Sequence, residues 1–123
     1  MKRSALCSML VIVSATAFCT SVVAADYPDG CTAAGPTHCK ILKEEGKVRV
    51  IDYTAKAGDK IAMHSHPAHV VYVLQGGKTK FTMADNSVKE VDTKPGDVMI
   101  NPATVHAADH LTDVHVIIME MKQ

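Results

Sequence analysis

Beyond residue 46, apolar and polar positions alternate in short runs, and each run stops at residues that favour turns. The segment Lys47-Val48-Arg49-Val50-Ile51-Asp52-Tyr53-Thr54 is rich in β-branched side chains, and Lys78-Thr79-Lys80-Phe81-Thr82-Met83 keeps the same period of two. Such a period sends successive side chains to opposite faces of a pleated strand. The pattern predicts strands at 47–54, 60–66, 70–74, 78–83, 87–93, 98–100 and 114–121, with turns at Ala57-Gly58-Asp59, Gly76-Gly77, Asp85-Asn86 and Pro95-Gly96-Asp97. Outside the N-terminal run, only Ile41-Leu42-Lys43-Glu44-Glu45 offers a short helical turn. Many short strands at this spacing predict an all-β sandwich or barrel.

The first 25 residues follow a different rule. Lys2 and Arg3 precede an apolar run from Ala5 to Val23, and Val23-Ala24-Ala25 puts small side chains where a signal peptidase reads. Interspersed Ser and Thr and the lack of a basic flank argue against a membrane anchor, and Phe18 before Cys19 argues against lipoprotein processing. The expectation is a cleavable signal peptide at 1–25, cut after Ala25, and a periplasmic or secreted mature protein with no membrane association. An N-terminal segment at 26–46 and a barrel at 47–123 complete the domain plan.

Residues 1–25 hold two of the 13 Lys and Arg and none of the 13 Asp and Glu, so the remainder is mildly acidic. It carries no basic cluster interleaved with aromatics, and no nucleic-acid partner is expected. A domain of this size buries only somewhat over 60% of its unfolded surface. Cys31 and Cys39, in an oxidising compartment, are expected to add a disulfide worth roughly 2–3 kcal/mol in the chain-entropy model. A Cys-His-Cys site through His38 is the sharper alternative, but its spacing matches no strong zinc pattern.

Histidine carries the candidate chemistry. The run His64-Ser65-His66-Pro67-Ala68-His69 lies at the start of an apolar strand, and His106 follows Gly96-Asp97-Val98-Met99-Ile100-Asn101-Pro102-Ala103-Thr104-Val105. Residues two apart on a strand face the same way, so His64 and His66 can converge on one ion at about 2.0–2.1 Å. Burying four imidazoles around one point is costly without a cation. His110 and His115 read instead as a loop residue and a satisfied strand residue. Met63, Met83, Met99, Met119 and Met121 raise the question of copper but read as fillers of a core that has no Trp.

The stretch 58–106 resembles the cupin superfamily. The first cupin motif runs Gly, five residues, His-x-His, a few residues, Glu, six residues, Gly; Gly58, His64, His66 and Gly76 stand in register, with His69 in the place of the Glu. In the second motif Gly96 and Pro102 match, Thr104 replaces a Gly, His106 arrives one residue early, and His110 stands where an Asn is usual. The resemblance implies a double-stranded β-helix, or jelly-roll barrel, often a homodimer. It also implies a divalent metal (Fe, Ni, Cu, Mn or Zn) on His64, His66 and His106, with His69 standing in for the carboxylate. Only Pro67 and Ala68 separate His66 from His69, one residue fewer than the family pattern, so three histidines plus water are the other outcome.

Neutral imidazoles leave such an ion its full charge, which suits a small oxygen-rich ligand. Tyr53, Tyr72 and Gln75 are the nearby polar side chains able to orient it. The functional expectation is an exported small metal-binding cupin that binds, and either oxidises (dioxygenase-like) or isomerises, a small molecule. A non-catalytic ligand- or metal-binding module is the alternative.

Overall fold

The computed structural model describes residues 26–123; the signal-peptide expectation falls on residues outside them. A short helix α1 (Gly30–Ala34) precedes nine strands: β1 (Cys39–Glu45), β2 (Val48–Ala55), β3 (Lys60–His66), β4 (Ala68–Gln75), β5 (Lys78–Met83), β6 (Val88–Asp92), β7 (Val98–Asn101), β8 (Thr104–His110) and β9 (Val114–Met121). They form a five-stranded sheet in the order β1-β2-β9-β4-β7 and a four-stranded sheet in the order β3-β8-β5-β6. Every named pairing is antiparallel. Both sheets turn residues toward one cavity, Ile51, Val71 and Ile118 from the first and Ile61, Phe81 and His106 from the second.

The alternating runs become the strands they predict, to within one or two residues at each end. Gly58 and Gly96, which open the two motifs, have φ of 91° and 89°, a backbone that only glycine adopts without strain. Three elements differ from expectation. The 41–45 stretch is the strand β1 and not a helical turn, because pairing with β2 across Cys39↔Tyr53 and Glu45↔Val48 overrides its helical composition. Helix α1 forms where the sequence pattern offers no helical turn: Asp29 Oδ1 accepts from the backbone N–H of Cys31 at 3.0 Å and of Thr32 at 3.3 Å. The third is β8, which places His110 at a buried strand end and corrects its reading as a loop residue. His115 is the satisfied strand residue expected, 2.6 Å from Asp52.

Interior packing is modest, with Ile51, Ala55, Ile61, Val71, Val73, Ala108 and Val114 as its buried apolar residues. The outer face of the five-stranded sheet is also apolar: Ile100 is 80% and Val98 59% exposed, beside Val48, Tyr72 and Leu74. Cys31 and Cys39 lie at disulfide distance, with a Cα–Cα separation of 5.3 Å.

Candidate metal centre

A single irregularity aims the His-x-His pair. On β3, Ile61 faces the interior, so strict alternation would turn His64 and His66 outward with Ala62. The β3–β8 register slips between Ile61 and His64, and this bulge reverses the parity. Ile61, His64 and His66 are consequently all buried, while Ala62 is exposed. Across the ladder His64 pairs with His106, and His106 pairs in turn with Met83 of β5. His69 enters from β4, opposite Asn101 and Glu120. The ligand atoms of His64, His66 and His106 lie within 4.8 Å of one another. His69 stands beside this group, its ring centroid 4.9 Å from that of His66.

Hydrogen bonding fixes which nitrogen His64, His66 and His69 turn inward. His64 Nδ1 donates to Ala62 O at 2.7 Å, and His69 Nδ1 donates to Pro67 O at 2.8 Å; a carbonyl can only accept. His66 Nδ1 donates to Glu120 Oε1 at 2.8 Å. Glu120, fully buried, also accepts from Arg49 Nη2 at 2.6 Å and Nε at 2.9 Å. Burial pushes the Glu120 carboxyl up, but the bonds from His66 and Arg49 and the Arg49 charge outweigh it and hold the group below the ordinary range.

With both Nδ1 atoms hydrogen-bonded outward, the Nε2 atoms of His64 and His66 face each other at 3.0 Å. Two imidazole nitrogens at that distance share a cation between them, either a proton or a metal ion. Ligands at right angles around an ion 2.0–2.1 Å away would be about 3.0 Å apart, so the donor set fits a divalent metal. Burial pulls His64 down to about 4. Burial, followed by the charges of His64, His66 and His69, takes His106 to about 3. These rings are therefore neutral at physiological pH, the form a metal needs. His69 Nε2 faces the Asn101 amide nitrogen at 3.3 Å.

Of the other candidates, Tyr53 lines the cavity. Tyr72 does not: it shares the outer face of β4 and is 41% exposed. Gln75 is likewise exposed, at the end of β4. Sequence reasoning missed Glu120 and Arg49, which meet across the β2–β9 ladder. A signal existed in β9, where a charged residue occupies the face shared with Val114, Val116 and Ile118. Gly30 was also missed; a Cβ there would meet His66 Cε1 at 2.4 Å, so α1 rests directly on the histidine ring.

The cavity holds about 800 Å³ and is lined mainly by apolar side chains, with His64, His66, His69 and His106 at one level. A divalent ion on His64, His66 and His106 would supply Lewis acidity toward an oxygen donor in this space. The chain's own contribution is to fix His64 and His66 through their Nδ1 bonds, keep His64 and His106 neutral, and surround the centre with apolar walls. Carboxylate-to-histidine support of the His66–Glu120 type orients a ligand ring and raises its basicity.

No protein-family model matches the sequence, and no curated protein matches it. Solved structures do. A cupin domain from Bordetella pertussis aligns with a TM-score of 0.62 at 16% identity, covering 69% of this chain and 92% of the other. KdgF from Halomonas sp. aligns at 0.52 and 22% identity, covering 69% and 79%. The DMSP lyase DddQ from Ruegeria pomeroyi aligns at 0.53 and 21% identity, covering 69% of this chain and 46% of the lyase. With two antiparallel sheets around one cavity and this likeness to solved cupins, the chain is a cupin-fold protein.

Proposed function

We propose that this protein is an exported metal-dependent cupin that binds a small oxygen-rich molecule through a divalent ion held by His64, His66 and His106. The observation that carries the reading is the convergence of the His64, His66 and His106 ligand atoms within 4.8 Å, with the first two rings each locked by an outward Nδ1 hydrogen bond. His69 is the fourth donor at the edge of the group, exchanging Asn101 for the metal when the site fills. An ion on four histidines still keeps one or two positions open for substrate, which favours oxidation or isomerisation over storage. One structural neighbour, a DMSP lyase, is an enzyme acting on a small molecule on this fold. A second copy of the chain is the partner proposed for the apolar outer face of the five-stranded sheet.

The test is elemental analysis of protein purified from the exported fraction without chelators or a His-tag, beside a His64→Ala/His106→Ala variant. Near-stoichiometric Fe, Ni, Cu, Mn or Zn in the parent, lost in the variant, is the expected result and names the chemistry to assay. No metal in either protein after incubation with each ion would overturn the reading and leave a metal-free ligand-binding barrel.

A further inference from the structure

We infer that the cavity has a second polar pole, made by Tyr53, His110 and Thr79, that binds a neutral hydroxyl group at the far end of an elongated ligand. The inference rests on the metal reading only for what holds the ligand's near end.

Strand register sorts the inward side chains into three levels. His106 pairs with His64 and Met83, and Glu120 with Arg49 and His69; this is the metal level. Ala108 pairs with Ile61 and Phe81, and Ile118 with Ile51 and Val71, forming a wholly apolar level. His110 pairs with Thr79, and Val116 with Tyr53. His106 and His110 lie on one face of one strand, four residues apart, so the poles are separated by roughly 13 Å. Side chains of all three levels line the same cavity.

The pole is a chain of three groups, with Tyr53 and Thr79 at its two ends on opposite sides of the His110 ring. Tyr53 Oη lies 2.8 Å from His110 Nε2, and Thr79 Oγ1 lies 3.0 Å from His110 Nδ1. If Tyr53 donates to the ring, Nδ1–H donates to Thr79, leaving the threonine hydrogen and a tyrosine lone pair unused within the chain. If the direction reverses, Tyr53 keeps its hydrogen and Thr79 its lone pair. Either way one end of the chain keeps a donor and the other an acceptor, so a hydroxyl, which both donates and accepts, is served at either end. Burial holds His110 below its ordinary range, and burial with the Asp59 charge pushes the Tyr53 phenol up, so the pole carries no charge at neutral pH. A neutral guest loses less on leaving water than an ion does. The apolar level between the poles requires a hydrocarbon middle.

The probes are unbranched alkanoates of six to twelve carbons and their ω-hydroxy counterparts, measured by calorimetry on the zinc-loaded protein. At the chain length that spans the cavity, the hydroxy acid should bind roughly three- to tenfold tighter than its parent, the worth of one or two net hydrogen bonds. One of Tyr53→Phe and Thr79→Val, the one that removes the hydroxyl in use, should abolish that increment, and both should leave parent-acid affinity unchanged, which also shows that each variant is folded. Absence of an increment at every length, including failure of both probe series to bind, overturns the second pole, as does an increment that survives both variants. If binding of the parent acid is indifferent to zinc and to His64→Ala/His106→Ala, the metal reading fails, while the hydroxyl increment still reports on the pole.

Discussion

Replacing Glu120 by Gln tests whether the carboxylate organises the metal centre or merely fills space. In the parent its oxygens accept from two Arg49 nitrogens and from His66 Nδ1, with no exposure to solvent. The amide keeps one acceptor and gains a donor. If the oxygen serves Arg49, the NH2 faces His66 Nδ1; the ring must then move its proton to Nε2, and the inward lone pair disappears. If the oxygen serves His66, the NH2 meets the guanidinium and leaves a buried cation with Asp29, at 3.3 Å, as its remaining carboxylate. Breaking one side of a buried ion pair costs about 3–5 kcal/mol, and losing a carboxylate behind a metal-bound histidine costs about 10–100-fold in affinity. Urea unfolding of the apo protein reads the first quantity, and chelator competition for Zn(II) reads the second. An Arg49→Met/Glu120→Met variant separates them: it removes both charges, so it should regain much of the stability and still bind zinc weakly. Zinc affinity within threefold of the parent in Glu120→Gln would refute the orienting role. Unchanged apo stability would refute the argument from buried charge.

Apo stability should fall on acidification, because the folded pKa values of His64, about 4, and His106, about 3, lie below the unfolded value of about 6.5. The unfolded state therefore binds more protons; stability is complete above pH 6.5 and declines by up to about 1.4 kcal/mol per pH unit per ring toward pH 4. Equilibrium unfolding between pH 7 and 5, above the carboxylate range, checks this, and a flat profile contradicts neutral burial. Gly30→Ala should cost about 1–3 kcal/mol, since a Cβ lies 2.4 Å from His66 Cε1 and the ring is pinned behind by Glu120. Weaker zinc binding should accompany that loss; an unchanged thermal midpoint and zinc affinity would show that α1 does not press on the site. Sedimentation should show a dimer at micromolar concentration and a monomer for Ile100→Glu, given 80% exposure of Ile100. A parent that stays monomeric at roughly a hundred micromolar removes the second copy from this face.

The histidine set was legible because its signal is local. His64 and His66 are two apart, and His106 sits a fixed distance past a glycine turn. Their inward aim was not legible, since it depends on a bulge that nothing between Ile61 and His64 announces. Arg49 and Glu120 stand 71 residues apart in sequence, and only the β2–β9 register brings them together. Tyr72 shows the opposite case. From a buried His69, alternation along β4 sends Val71 and Val73 inward and Tyr72 outward, so a strict period of two would have excluded it from the cavity. The same count on β2, from Ile51, turns Tyr53 and Arg49 inward. Parity within a strand is thus readable once one residue is anchored, whereas the residue across the ladder waits for the register. That is why the histidines of the centre could be named in advance, and the carboxylate and guanidinium behind His66 could not.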